Sequence, residues 1–154
     1  MKTILLTKGF FTKVDDEDFE SLIKNKWFIA NTGTHIYAAR RCGPRNIKLH
    51  RILINPPNGF YVDHIDGDTL NNQRSNLRVC TKSQNAMNSK HQQSSSSKFK
   101  GVSWDSSRGK WRAQIKKHGV RFNLGRFSTE REAASAYNAK AKEIFGEFAR
   151  LNVC

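Results

Sequence analysis

The feature that most limits how this chain can fold is a polar, serine-rich segment, H-Q-Q-S-S-S-S-K, at residues 91–98. The segment holds no apolar residue and shows no hydrophobic period, so we expect a flexible linker there. It divides the 154 residues into parts 1–90 and 99–154, and only 37% of all residues are hydrophobic. A single large core is therefore not expected, and each part is predicted to form a small domain of its own.

The chain is strongly basic. Lys and Arg number 27 against 13 Asp and Glu, which gives a formal net charge of +14. Such a surplus favours a polyanionic partner, most often nucleic acid, whereas a membrane partner would need a basic amphipathic helix or an apolar span. The three cysteines form no C-x-x-C pair, so neither a disulfide framework nor a zinc site is indicated. These features are typical of an intracellular protein.

The first part is predicted to mix strands and helices. The apolar run 4–11 is typical of a strand, and the acidic stretch after Asp15 suits the first turn of a helix whose apolar positions recur through Trp27. Further strands are expected on both sides of the turn C-G-P-R-N and before Cys80, followed by a helix that starts from a capping box. In chain order these are residues 36–41, 47–51 and 76–80, and the box T-K-S-Q at 81–84.

The second part is predicted to hold three strands and one helix. The strands are expected at 100–104, 111–117 and 120–124, separated by the turns S-S-R-G and H-G. The box T-E-R-E at Thr129 starts the helix, and Gly146 is placed to end it. Together the two parts predict an α+β protein.

A cluster of polar side chains at residues 62–72, V-D-H-I-D-G-D-T-L-N-N, stands out from the basic surroundings. A hairpin followed by a helix would let Asp63 and His64 converge with Asn76 and Asn85. Carboxylate and amide oxygens suit Mg²⁺ or Mn²⁺, and a neutral histidine can take a proton from water near pH 7. Metal, base and basic surface together predict phosphodiester hydrolysis. Asp66 and Asp68, on either side of a glycine, are predicted to form a turn.

Residues 62–85 resemble the HNH nuclease family. The resemblance rests on D-H, then N-L-R thirteen residues further on, then an asparagine in the following helix, with a lead-in at His50 and Arg51. It implies a ββα-metal nuclease unit with His64 as the general base. Asp63 and Asn85 are implied as ligands of one divalent cation. Asn85 stands where the family name calls for a second histidine, which favours Mg²⁺ or Mn²⁺.

The same resemblance implies that Asn76 braces the loop between the two strands. It also implies cleavage to a 5′ phosphate and a 3′ hydroxyl. With the appended second part, the whole chain resembles the homing endonucleases of phages and mobile elements.

The middle strand of the second part alternates between basic or amide side chains and apolar ones. One face of the predicted sheet can therefore bury the alanine-rich helix, while the other presents groups that pair with base edges and phosphates. A solvated basic face is the simpler alternative. The face predicted to bind DNA comprises Lys110, Arg112, Gln114, Lys116, Arg121 and Asn123, with Arg108 in the preceding turn.

Residues 98–152 resemble the APETALA2/ethylene-response-factor DNA-binding domain. The motifs are K-G-V-S-W, G-K-W-R-A-Q-I, L-G-R-F, E-A-A-S-A-Y and F-G-E-F-A-R-L-N. The resemblance implies a three-stranded antiparallel sheet that packs on one helix and lies in the major groove. Ser103 and Asp105 replace arginines of the plant domains, and Asn123 replaces a tryptophan, so their sequence preference is not transferred.

These inferences lead to a metal-dependent, homing-type DNA endonuclease. We expect it to act as a cytoplasmic monomer on double-stranded DNA, with no membrane partner and no small-molecule substrate. The alternative is a DNA-binding regulator whose nuclease unit is inactive, and an enzyme directed to RNA is less favoured. The sequence leaves open the target site and the choice between nicking and double-strand cutting.

Overall fold

The structure is a computed structural model that describes residues 1–89 and 96–154. It divides into two compact units, Met1–Asn85 and Ala86–Cys154. The expected linker at 91–98 lies mostly outside the described residues. Its last residues belong to the second unit, where Ser97 is buried and its hydroxyl donates a 2.6 Å hydrogen bond to Glu130 Oε1.

The N-terminal run is a hairpin rather than the single strand that its apolar content predicts. Strand β1 spans Lys2–Leu5 and pairs antiparallel with β2, Phe11–Val14. Between them Lys8 and Gly9 have φ of 62° and 73°. These left-handed conformations reverse the chain, so the prediction of one strand at 4–11 is wrong.

Helix α1, Asp16–Leu22, begins with the predicted acidic turn but ends before Trp27. Trp27 is buried outside the helix, and its indole N–H donates to the carbonyl oxygen of Leu22 at 2.8 Å. The tryptophan therefore packs against the helix end instead of extending the helix. The strand that follows it, β3 at Phe28–Asn31, was not predicted.

Strand β3 joins β4, Ile36–Cys42, and β5, Arg45–Lys48, in a three-stranded antiparallel sheet in that order. The predicted strand at 47–51 is only half correct, because helix α2 occupies Leu49–Ile54. Leu49 and Leu53 are both buried, at the i, i+4 spacing of one helix face. That spacing, hidden in a short apolar run, favours the helix.

The next elements form the predicted hairpin and helix. Strand β6, Tyr61–His64, pairs antiparallel with β7, Leu77–Cys80, and helix α3 spans Lys82–Met87. Reciprocal hydrogen bonds between Thr81 and Gln84 confirm the capping box. The core of the first unit includes Ile4, Leu6, Val14, Leu22, Trp27, Ala38, Leu49, Leu53, Val62 and Leu77.

The second unit has strands β8, Val102–Asp105, β9, Lys110–Lys117, and β10, Val120–Phe127, in the antiparallel order β10-β9-β8. Helix α4, Glu130–Phe145, starts from the predicted capping box and ends at Gly146. It packs on the sheet through four fully buried alanines, namely Ala113 of the sheet and Ala133, Ala134 and Ala141 of the helix.

Small side chains let α4 lie close to the sheet. The approach at Gly101 is so close that a Cβ atom there would lie 2.1 Å from the Tyr137 ring, so only glycine fits this position. The α+β class and the sheet packed on one helix are confirmed. Among the described residues, no helix is long and apolar enough to cross a membrane.

Candidate functional site

The Asp63 carboxylate is held by an arginine that the sequence analysis did not single out. Asp63 on β6 lies directly opposite Arg78 on β7. Arg78 Nη2 and Nε donate to Asp63 Oδ2 at 2.8 and 3.0 Å. The Asp63 side chain is only 7% exposed and that of Arg78 only 13% exposed. Each ion has therefore lost hydration, and its pairing with the other compensates for that loss. The cross-strand register of a hairpin was the signal that could have identified Arg78.

His64 ends β6 and is buried. Burial lowers the pKa of its imidazole, while the hydrogen bond with Asn72 and the nearby Asp carboxylates act in the opposite direction. The net pKa lies below 6.5. The ring is therefore neutral at pH 7 and able to accept a proton.

Two further rings pack against His64. The ring centroid of His50 lies 5.0 Å from that of His64, and the two rings are nearly perpendicular. The ring of Tyr37 packs in turn on His50, with 5.4 Å between their centroids. Burial lowers the pKa of His50 to about 3, helped by the nearby positive groups. His50 therefore adds no charge beside His64 at neutral pH. The lead-in motif pointed to His50, but Tyr37 was missed.

Asn76 ties together the loop between the two strands. Its Nδ2 donates to Asp66 Oδ1 at 2.9 Å and to the carbonyl oxygen of Asn71 at 2.8 Å, and its Oδ1 accepts from the backbone N–H of Asp66. The Asp66 and Asp68 carboxylates each accept a backbone N–H two residues further on. The turn-forming role predicted for these two aspartates is confirmed.

The N-terminal region anchors the same loop. Lys13 N–H donates to the Leu70 carbonyl, and Asn72 N–H donates to the Lys13 carbonyl, both at 2.9 Å. Arg74 forms two hydrogen bonds with the Asp18 carboxylate, at 2.7 and 2.8 Å. The acidic start of α1 thus also serves as an anchor for the loop, which its sequence did not reveal.

Asn85 lies on α3 with its side chain exposed. Within the described residues it makes no side-chain hydrogen bond to Asp63, His64 or Asn76. The described part of the chain also holds no group of three or more His, Cys, Asp or Glu residues that could enclose a metal. One carboxylate and one amide oxygen still fit Mg²⁺ or Mn²⁺, which keep several water and phosphate oxygens as ligands.

The exposed face of the second unit carries the side chains predicted to bind DNA. On β9, Ala113 and Ile115 are buried toward α4, while the alternate residues Lys110 and Lys116 are exposed. Across the ladder, Asn123 lies opposite Gln114 and Arg121 opposite Lys116. Half-buried Arg112 also belongs to this face, and Arg108 is exposed in the turn before β9.

A bulge brings one more arginine onto this face. The register of β10 shifts between Asn123 and Gly125, so Arg126 lies opposite Arg112. Strict alternation along the strand would have put Arg126 on the apolar side, so the sequence pattern does not predict it on this face. Arg126 Nε lies 2.7 Å from Asp105 Oδ2, and this bond is the main reason that the pKa of Asp105 falls to about 2.

Two different family models match two separate spans of the chain. Residues 55–87 match a family model described as HNH endonuclease, and residues 97–147 match one described as AP2 domain. An uncharacterized HNH endonuclease of Acanthamoeba polyphaga mimivirus is 36% identical over 152 residues, which cover 94% of this chain and 76% of that protein. The chain belongs to the HNH endonuclease family. The predicted combination of an HNH unit with an APETALA2-like domain is confirmed.

Other relatives match this chain over shorter spans. Protein 3.8 of Escherichia phage T7 is 36% identical over 108 residues, covering 70% of this chain and 88% of that protein. Dehydration-responsive element-binding protein 2A of Arabidopsis thaliana is 52% identical over 46 residues, which cover 29% of this chain and 14% of that protein. No solved structure matches the chain. The two family matches indicate a nuclease or DNA-binding role.

Proposed function

We propose that this HNH protein is a metal-dependent, homing-type endonuclease that hydrolyses a phosphodiester bond at a recognised site in double-stranded DNA. The observation that carries the proposal is the end of β6, where a buried, neutral His64 follows an ion-paired Asp63. His64 is the last residue of the strand, and the Asp63 carboxylate is near enough to act on its ring, so a proton acceptor and a hard oxygen donor are close together, as attack of water on a phosphate requires. We further propose that it acts as a monomer in a host cytoplasm, and the similarity to a protein of Escherichia phage T7 supports that location.

His64 acts as the general base. Its neutral ring takes a proton from the water that attacks the phosphorus atom, a contribution of about 10²–10⁴-fold in rate. The edge-on contact with the neutral His50 ring packs His64 without placing a charge beside it. Positive charge that develops on His64 is stabilised by the aspartates near it.

Asp63 and Asn85 would hold one divalent cation, Mg²⁺ or Mn²⁺, which when bound supplies positive charge at the scissile phosphate. Arg78 fixes the direction of the Asp63 carboxylate, so it is oriented before DNA binds. Asn76 holds the intervening loop through its three hydrogen bonds and so keeps β6 and β7 in register at the site.

The second unit positions the nuclease on DNA through the polar face of its sheet. Arginine and amide side chains can pair with guanine and adenine edges, and lysines contact phosphates. The plant relative is named as an element-binding protein, which supports this role. The residues proposed for contact are Arg108, Lys110, Arg112, Gln114, Lys116, Arg121 and Asn123.

The test is cleavage of a supercoiled plasmid library with random inserts, in Mg²⁺ or Mn²⁺. Wild-type protein should give relaxed circles by nicking or linear molecules by double-strand cutting. His64→Ala should lose about 10²–10⁴-fold in rate while its gel-shift affinity for DNA is unchanged. The matched control His35→Asn changes an exposed histidine of the same unit and should cut normally.

Two results would count against the proposal. Full turnover by His64→Ala would remove this residue from the chemistry. DNA binding by the wild type without cleavage in either metal would favour the alternative, a DNA-binding regulator with an inactive nuclease unit.

A further inference from the structure

A chain of buried hydrogen bonds connects the N-terminal hairpin with the ring of His64. Thr12 on β2 is 0% exposed, Asn72 is 1% exposed and His64 is 5% exposed. The Thr12 hydroxyl donates to the Leu70 carbonyl oxygen at 2.7 Å, and Asn72 Nδ2 donates to Thr12 Oγ1 at 2.8 Å. Asn72 Oδ1 lies 3.3 Å from His64 Nε2.

The chemistry of the groups fixes the direction of every bond in this chain. A carbonyl oxygen only accepts, so the single hydroxyl hydrogen of Thr12 is committed to Leu70. Thr12 Oγ1 must then accept from Asn72, which turns the NH₂ group of the amide toward Thr12. The amide oxygen of Asn72 consequently faces His64.

This orientation determines the tautomer of His64. An amide oxygen cannot donate, so the hydrogen of the neutral imidazole must sit on Nε2. The lone pair of the ring is then on Nδ1. If the amide of Asn72 were turned by 180°, its NH₂ group would face Nε2 and stabilise the opposite tautomer.

We propose that Thr12 is a positioning residue for DNA hydrolysis, which acts through Asn72 to hold His64 in the tautomer with hydrogen on Nε2. This proposal rests on the role proposed above for His64. In the step it describes, an O–H bond of the attacking water breaks and an N–H bond forms at Nδ1 of His64. The bonding pair stays on the oxygen, which forms a new bond to phosphorus as the bond from phosphorus to the 3′ oxygen breaks. The 3′ oxygen leaves with that electron pair and takes a proton from solvent, while Nε2–H of His64 remains donated to Asn72.

The backbone offers a way to separate this role from simple anchoring of the loop. The hydrogen bonds Lys13 N–H to Leu70 O and Asn72 N–H to Lys13 O involve no side chain. They are retained when Thr12 is replaced. A Thr12 variant can therefore lose control of the amide while β2 still pairs with the loop.

The first experiment compares Thr12→Val with Thr12→Ser in the full chain. Valine keeps the shape of threonine but cannot accept from Asn72, whereas serine keeps the hydroxyl. Thr12→Val should lower kcat by about 10²–10⁴-fold, the usual contribution of a general base, with unchanged affinity for DNA. Thr12→Ser should retain most of the wild-type turnover.

The second experiment adds Asn72→Asp to Thr12→Val. A carboxylate accepts at both oxygens, so it restores an acceptor toward His64 Nε2 whichever way it is turned. Turnover should recover at least tenfold over Thr12→Val. If Thr12→Val retains wild-type kcat, or if the double variant shows no recovery, the proposal is wrong.

The third measurement reads the tautomer directly by ¹⁵N–¹H correlation spectra of the histidine rings at pH 7, with His64→Gln used to assign the signals. Wild-type His64 should carry its hydrogen on Nε2, and Thr12→Val should shift population to Nδ1–H. A wild-type ring with hydrogen on Nδ1 overturns the proposal, even if Thr12→Val does not fold. Because this readout needs no cleavage, it distinguishes a failure here from failure of the proposed nuclease activity.

Discussion

Buried His50 should make the first unit lose stability in mild acid. Burial lowers the pKa of this imidazole from 6.5 to about 3, and His64, Lys48 and Arg51 shift it in the same direction. Below pH 6.5 the unfolded chain binds a proton at this position, whereas the folded chain binds it only near pH 3. Because the unfolded state holds more protons throughout this window, stability falls as the pH falls from 6.5 toward 3.

The size of the effect follows from that window. Each pH unit within it costs about 1.36 kcal/mol, so a change from pH 6.5 to pH 4.5 should cost roughly 2.7 kcal/mol. Small domains are stable by only about 5–15 kcal/mol, so this loss is easily measured. His50→Phe keeps an aromatic ring in contact with Tyr37 and His64 but has no proton to bind.

Urea unfolding at pH 7 and pH 4.5 provides the assay. Trp27 reports on the first unit once Trp104 and Trp111 are replaced by phenylalanine, since the chain has three tryptophans. The difference in unfolding free energy between the two pH values should be about 2–3 kcal/mol smaller in His50→Phe than in the parent. The control, exposed His35→Asn, should match the parent. If His50→Phe and the parent lose the same unfolding free energy between pH 7 and pH 4.5, the reasoning is refuted.

Two further substitutions test the ion pair and the sheet face. Arg78→Ala removes both hydrogen bonds and the ion pair that Arg78 forms with the buried Asp63 carboxylate, and it should lower the unfolding free energy by about 3–5 kcal/mol, as measured by urea unfolding; a loss below about 1 kcal/mol would contradict the burial of the pair. Arg112→Ala should relax base preference at one position of a selected site, whereas Lys116→Ala should weaken all sequences alike and reduce the salt slope by about 1; binding titrations at several salt concentrations separate the two results.

The elements that the sequence predicted well are those whose hydrogen bonds are local. The capping boxes at Thr81 and Thr129 close within three residues, and both are present. Alternation along β9 likewise identified its two faces, because side chains in a strand change sides at every residue. Alternation failed at Arg126, since one extra residue in the bulge exchanges the faces for the rest of β10.

The candidate site was predictable only in part, for a related reason. Asp63, His64 and Asn76 lie close together in a motif, but their partners come from distant positions. Arg78 acts through cross-strand pairing, and Thr12 reaches Asn72 across 60 residues of sequence. No local period encodes contacts of this kind. The short apolar run that contains His50 is compatible with a strand or a helix. Only the burial of both Leu49 and Leu53, seen in the structure, identifies it as helix α2.

The anchoring of the loop by the N-terminal region bears on whether the nuclease motif can be transplanted. The HNH family model covers residues 55–87, yet the loop inside that span is held by backbone bonds to Lys13 and by the contact of Arg74 with Asp18. A graft of 55–87 alone would carry Asp63 and His64 without the N-terminal groups that hold the loop in place. In a nascent chain the hairpin is also synthesised well before its partner loop, so the N-terminal groups that hold the loop are already present when the loop emerges.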